Sequence, residues 1–231
     1  SINELSEKLF QLGHEHEIEN DIFDMEFTPN RGDCLSVIGL LRDLSVFYKT
    51  DLKIEKYTDR IKTLELDFKN NAKNACPKIS FLKIEISNQN IKPYKGKLKS
   101  YFDDLDCKKN NFFTDISNYL SYEMGQPTHC YDATKIKEKI TLDYVDGNNI
   151  FETLLNSKIN LVDRNLVFLN DNEIINLAGV IGGKNSSCSV NTTSALIECA
   201  YFEPEEIIGK SVIYDVHSDA AHKFERIVDS E

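Results

Sequence analysis

The sequence predicts an α+β fold: a small N-terminal helical domain over residues 1–74, then a mixed, mostly antiparallel sheet domain over 75–231. Three observations carry this. Apolar residues recur at helical spacing in separate blocks, the period falls to two from residue 139 onward, and no regular strand–helix–strand alternation joins the two patterns. With 231 residues and 41% hydrophobic content, the chain has length for one large domain, or a small one plus a medium one, and for a real core.

Ile2, Leu5, Leu9 and Leu12 repeat as one helix face, and Gly13 can close that helix. His14-Glu15-His16-Glu17 resembles a metal pair but lacks the i, i+4 histidines of a zincin helix, so no metal is expected there. Phe23, Met25 and Phe27 alternate as a strand over 22–27. TPNRGDCLS (28–36) reads as a turn, with Asp33 placed to cap a helix whose apolar face is Val37, Leu40, Leu41, Leu44 and Tyr48. The helix–strand–helix unit ends near residue 50. Residues 50–75 are charged and Asn-rich, a connector with one strand.

The second domain begins near Cys76-Pro77, with a strand through Leu82, Ile84 and Ile86. Leu98, Tyr101, Phe102 and Leu105 mark a helix over 94–106. Ile116, Tyr119 and Leu120 mark another over 115–124, stopped by Gly125 with Pro127 beyond. Ile140, Leu142 and Tyr144 lead to an Asp146-Gly147 turn. Strands follow near 159–162, 166–170 and 173–178, the last two joined by Asn170-Asp171-Asn172. A strand over 194–201 and a helix over 218–228 complete the order.

Formal net charge is −11, so bulk electrostatics will not hold nucleic acid. Lys92, Lys95, Lys97, Lys99, Lys108 and Lys109 run against that balance, with Tyr94 and Tyr101 among them. They read either as a solvated helix face or as a local contact to an RNA backbone. The six cysteines form no C-x-x-C pair, and Cys130 and Cys199 lie in apolar stretches, as buried free thiols do in a reducing cytosol. No run approaches the ~18 apolar residues that span a bilayer, and no secretory signal opens the chain.

Chemistry points to four segments: GQPTHCYD (125–132), NLAGVIGG (176–183), LIECAYFEP (196–204) and HSDAAHKFERIVD (217–229). Each sets a polar or special-geometry residue in apolar sequence, and buried polar groups need partners. Glu198 shares a strand face with Leu196 and Ala200, while Ile197 and Cys199 fill the other face. Its carboxyl must be paired, hydrogen-bonded or protonated, as a structural acceptor or as part of a site. Gly179 suits a sharp turn at a strand end, either a plain turn or one that lets backbone approach a ligand. His129 is a loop imidazole beside a Pro-fixed turn, structural or functional. Ser218 and Asp219 are cap residues for the last helix, and Ala220 is small enough to leave room for a ligand. No G-x-S-x-G elbow, Cys–His pair or metal cluster occurs, which argues against a covalent nucleophile.

At these residues the chain resembles the beta chain of bacterial phenylalanyl-tRNA synthetase. TPNRGDCLSVIGLLRDL (28–44) is similar to that family's N-terminal domain. DISNYLSYEMGQPTHCYD (115–132), LAGVIGG, ECAYFEP and SDAAHKFERIVD are similar to its editing module. The resemblance covers nearly the whole chain, with 50–110 diverged. It departs from the family in three places. Glu17 runs almost directly into the TPNR strand without the usual RNA-binding barrel. Lys108-Lys109 stand where Arg-Pro is usual, keeping charge but losing the planar fork. Ser218 replaces a Thr. The sequence ends at Glu231, before the family's catalytic-like and anticodon-binding domains, and is expected to be a fragment.

The resemblance implies hydrolysis of tyrosine wrongly attached to the phenylalanine tRNA. It implies that Glu198 binds the phenol hydroxyl with the backbone at Gly179, that Ala220 leaves space for the ring, and that His129 and Ser218 position the ester, the terminal adenosine or the attacking water. It implies RNA contacts at Lys108 and Lys109, no metal or cofactor in this segment, ATP and Mg2+ for the full synthetase, an alpha chain in an α2β2 assembly, tRNA(Phe) as partner, and a cytoplasmic location without membrane or DNA. A non-catalytic assembly and tRNA-docking module with a decayed pocket is the alternative. A ligase active site is rejected, because the motifs of class II synthesis are missing.

Overall fold

The computed structural model describes residues 1–51, 57–87, 92–137 and 139–229. Part of the expected connector, 52–56, lies outside the described residues. The first helix, α1 (Ile2–Gln11), starts on a capping box in which Ser1 and Glu4 bond each other's backbone N–H. Strands β1 (Glu15–Glu19) and β2 (Ile22–Glu26) follow as an antiparallel hairpin. Its two-residue loop, Asn20-Asp21, has φ of 49° and 65°, which matches the twist of the flanking strands. The sequence reading saw only the second strand, because Glu15–Glu19 carries too few apolar residues to show a period. The N-terminal unit is therefore helix–hairpin–helix rather than helix–strand–helix.

Helix α2 (Val37–Tyr48) is capped by Ser36, which accepts the Gly39 N–H at 3.0 Å. Asp33 is not the cap. A 3-10 turn over Gly32–Cys34 intervenes, and Arg31 grips the Asp33 carboxylate through two bonds of 3.0 Å.

The second region contains β3 (Asp67–Asn70), β4 (Lys78–Glu85), α3 (Gly96–Asp103), α4 (Phe112–Met124), β5 (Thr128–Asp132), β6 (Lys139–Val145), β7 (Asn149–Glu152), β8 (Lys158–Leu161), β9 (Asn165–Asn170), β10 (Glu173–Leu177), β11 (Ile181–Gly182), β12 (Ser194–Tyr201), α5 (Lys210–Tyr214) and α6 (Asp219–Phe224). A five-stranded sheet runs β11-β10-β9-β6-β3, a three-stranded sheet runs β4-β12-β5, and β7-β8 form a separate pair. Among the described strands every pairing is antiparallel except β3 with β6, so the α+β expectation holds. β3 enters this sheet from the N-terminal side of residue 75.

Asp171-Asn172 makes the expected tight hairpin between β9 and β10, with Asp171 at φ 53°. Asp146-Gly147 does not make one. β6 pairs with β9 while β7 pairs with β8, so the chain leaves the large sheet at that turn. The last helix is shorter than expected and stops at Phe224.

The five-stranded and three-stranded sheets contribute to one core. Tyr131 and Leu196 come from the small sheet, Ile140, Leu142, Phe168 and Leu177 from the large one, and Phe202 and Phe224 join them. The edge-to-face contacts Tyr131–Phe168, Phe168–Phe202 and Phe202–Phe224 run through it. All six cysteines are free, and Cys34, Cys76 and Cys130 are buried. No helix among the described residues is long and apolar enough to cross a membrane.

The N-terminal unit docks on the end of the chain. A Cβ on Gly32 would collide with the carbonyl oxygens of Arg226 and Ile227, and Arg42 reaches Asp229 at 2.9 Å. Backbone cannot retreat as a flexible side chain would. Gly32→Ala is therefore expected to destabilise the chain by about 1–3 kcal/mol. Urea unfolding of the variant checks this, and hydrogen exchange should show the loss centred on residues 32 and 226–228.

Candidate functional site

A cavity of about 700 Å³ opens between α4, β5, the β10–β11 turn, β12 and α6. His129, Gly179, Glu198, Ser218, Ala220 and Lys108 all line it, although they come from five separate stretches of sequence. Lys109 does not. Its ammonium sits 2.8 Å from Asp103 and 5.7 Å from the Phe102 ring centre.

Glu198 occupies the middle strand of the small sheet, opposite Phe81 on β4 and His129 on β5. It is 4% exposed. The Tyr131 hydroxyl donates to its Oε2 at 3.1 Å, and Asn176 Nδ2 donates to the same oxygen at 3.4 Å and to the Tyr131 hydroxyl at 2.9 Å. Burial pushes the Glu198 pKa up to about 8, against a smaller downward pull from the Tyr131 bond. Burial thus favours the hydrogen-bonded, uncharged form of the acid.

His129 lies on strand β5, not in a loop, because the Pro127 turn ends one residue before it. Its ring stands edge-to-face on Tyr131 with centroids 4.5 Å apart. Gly182 makes room for it, since a Cβ there would strike the imidazole. Nε2 is sealed without a hydrogen-bond partner among the described residues. Burial drops the His129 pKa to about 4, so the ring is neutral at pH 7.

Gly179 is the third residue of a turn closed by the Val180 N–H on the Leu177 carbonyl at 2.9 Å. Its φ is +69°, and a Cβ would press Ile207 at 2.6 Å and Phe202 at 3.1 Å. Conformation and packing both require glycine there. Ser218 caps α6 by accepting the Ala221 N–H at 3.0 Å, and it donates its own proton to the Val180 carbonyl at 2.6 Å. The hydroxyl therefore ties α6 to the Gly179 turn and holds no free proton for attack. Ala220, half-buried, faces the space that this tie keeps open.

Residues outside the sequence reading complete the site. Tyr131 and Asn176 hold Glu198, and the signal for Asn176 was an amide inside the apolar run EIINL. Lys223, nearly buried, bonds both Asp219 oxygens at 2.7 Å, and Asp219 accepts the Ser121 hydroxyl at 2.9 Å. This links α4 to α6 along the cavity wall, and nothing in the sequence pattern announces it.

His14, Cys34 and Asp43 cluster within 4.8 Å in the N-terminal unit, a spacing that could hold a metal ion. Arg31 already fills the cation's role there, with Nη2 2.7 Å from Cys34 Sγ and 2.6 Å from Asp43. His16 belongs elsewhere, bonded to Ser6 at 2.8 Å.

A family model described as B3/4 domain matches residues 75–231. The phenylalanine--tRNA ligase beta subunit of Francisella tularensis is 32% identical over 218 residues, which is 93% of this chain and 27% of that protein. The beta subunit of Pseudomonas putida is 30% identical over 248 residues, covering 100% of this chain and 30% of that one. The chain thus spans little more than a quarter of the length of these curated relatives. The crystal structure of an N-terminal fragment of the phenylalanyl-tRNA synthetase beta-subunit from Pyrococcus horikoshii superposes with TM-score 0.45 at 14% identity, covering 87% of this chain and 62% of that one, a likeness too loose to bear on function.

The buried acid ties stability to pH. The unfolded chain releases the Glu198 proton near its ordinary value of 4.5, whereas the folded chain keeps it to about 8. Stability from this group is complete below 4.5, falls as pH rises to about 8 and is level beyond. Glu198→Gln should remove that decline, which amounts to a few kcal/mol. Denaturation of both proteins at about pH 5 and about pH 9 checks the slope.

Proposed function

The chain belongs to the B3/4 domain family, and on that footing we propose that its cavity hydrolyses tyrosine wrongly esterified to the phenylalanine tRNA. The observation that carries the reading is Glu198, a hydrogen-bonding acid sunk in a cavity whose other walls include Gly179, Ala220 and Phe202. A pocket shaped for phenylalanine rejects an added hydroxyl poorly, by about 10²-fold in a comparable case. A site that greets the hydroxyl reverses the problem. Phenylalanine leaves the buried polar group unpaired, and such sites discriminate by about 10⁴–10⁵.

The reaction needs no side-chain nucleophile. Water adds to the ester carbonyl carbon, the bond to the ribose oxygen breaks, and that oxygen takes the proton. This chain contributes position: Glu198 holds the phenol, Ala220 leaves space for the ring, and His129 and the Ser218-tied turn fix the ester end. Lys108, at the cavity, is assigned to the tRNA backbone. Lys109 is assigned there only after release from Asp103. The carrier proposed is tRNA(Phe) and the partner a synthetase alpha chain, a reading supported by the relatives' name, phenylalanine--tRNA ligase beta subunit. Ligation by the complete enzyme would use ATP and Mg2+, and the hydrolysis proposed here would use neither.

Deacylation of tyrosyl-tRNA(Phe) and phenylalanyl-tRNA(Phe), by the chain alone and in its complete assembly, tests the reading. The wild type should clear the tyrosyl ester in preference, Glu198→Ala should abolish the preference, and Ala220→Trp should fill the cavity and stop hydrolysis. His129→Ala should slow the reaction with little change in melting temperature. Clearance of neither ester by the wild type would leave an inert docking module instead, and equal clearance of both would remove the tyrosyl selectivity assigned to Glu198.

A further inference from the structure

Among the described residues, every hydrogen bond on the Glu198 carboxyl lands on one oxygen. Tyr131 donates to Oε2, and Asn176 donates to Oε2 and to the Tyr131 hydroxyl. The sealed, unpartnered side-chain atoms among the described residues are His129 Nε2 and Ser194 Oγ; Glu198 Oε1 is not one of them, and the bonds found among these residues reach Oε2 alone. The three residues come from different strands, Tyr131 on β5, Asn176 on β10 and Glu198 on β12. The arrangement therefore also bridges the two large sheets.

We propose that Tyr131 and Asn176 are positioning residues that lock Glu198 by Oε2 and leave Oε1 as the one atom offered to a para-hydroxyl in the cavity. This deepens the editing function above and rests on it. The physical reason is selectivity. A carboxyl free to turn could satisfy itself elsewhere when phenylalanine occupies the site, and the penalty on phenylalanine would shrink. A carboxyl held by one oxygen cannot.

The lock also fixes polarity. The Tyr131 hydroxyl accepts from Asn176, so its own proton must go to Oε2. With Oε2 occupied by two donors, the acid proton belongs on Oε1 and points to the ligand. Burial supports this, because it keeps the group protonated to about pH 8. The titratable neighbours do not compete in that range. His129 on β5 titrates near 4, Cys130 on β5 and Cys76 ahead of β4 near 12, Tyr131 is held well above its ordinary value, and Cys199 on β12 is raised by burial.

The test uses the complete enzyme and both pre-charged esters, without ATP. Tyr131→Phe and Asn176→Ala should each lower the tyrosyl preference about tenfold. The loss should come through a higher KM for the tyrosyl ester alone; a merely structural defect would move both esters together. In Glu198→Gln the amide nitrogen stands in for protonated Oε1, so this variant should keep a tyrosyl preference at least ~10-fold above that of Glu198→Ala. Adding Tyr131→Phe should erase that rescue. The ratio of wild-type to Glu198→Gln rates should fall as pH passes about 8. If the wild type discriminates and Glu198→Ala does not, but Tyr131→Phe and Asn176→Ala match the wild type, the lock is refuted while the editing function stands. Glu198→Gln behaving as Glu198→Ala refutes the donor polarity. A wild type without tyrosyl preference overturns the editing function and this inference together.

Discussion

A carboxyl buried between two sheets is the constraint around which the rest of this site is arranged. An unpaired ionised acid in such a place would cost several kcal/mol, and the fold avoids that penalty in two ways. It supplies donors from a second strand of the small sheet and from the large sheet, and it keeps the proton. Both depend on the two sheets holding register against each other. The aromatic chain from Tyr131 through Phe168 and Phe202 to Phe224 holds that register, because each ring is packed edge-to-face on the next.

The small residues around the acid follow from the same constraint. Gly182 is the floor on which the His129 ring rests, and Gly179 lets the adjoining turn pass Ile207 and Phe202. Ser218 then fixes α6 to that turn through the Val180 carbonyl. Ala220 lies on the first turn of α6 and packs against the core, so the Ser218 bond and that packing together set where it stands relative to the acid. Packing and cap chemistry thus decide the width of the cavity before any ligand enters.

Much of this was legible in the sequence because it is local. A Ser followed by Asp opens the last helix, a Gly-rich turn ends an apolar strand, and an acid interrupts LIECAYF. Each leaves a mark at its own position. The first strand of the hairpin over 15–26 left almost none, since it buries little. Asp33 was misread as a cap because the spacing to Val37 allowed it, whereas the competing partner, Arg31, shows itself only in three dimensions. Tyr131 and Asn176 stood inside quoted segments, yet their roles depend on register between strands far apart in sequence. No single stretch encodes that register. The Asp219–Lys223–Ser121 link between two helices was hidden for the same reason.

A burial that favours the neutral acid also suits the chemistry proposed for the cavity. Ester hydrolysis builds negative charge on the carbonyl oxygen, and the chain already carries a formal charge of −11. Two groups on opposite walls of a cavity of about 700 Å³ stand on the order of 10 Å apart. At an effective dielectric near 20, a carboxylate at that distance would oppose the oxyanion by about 1–2 kcal/mol. That is about tenfold or more in rate. A protonated acid would instead donate a hydrogen bond to the phenol oxygen, without that opposition. Under the proposed editing function, the burial that would make Glu198 selective would therefore also keep it from retarding the hydrolysis.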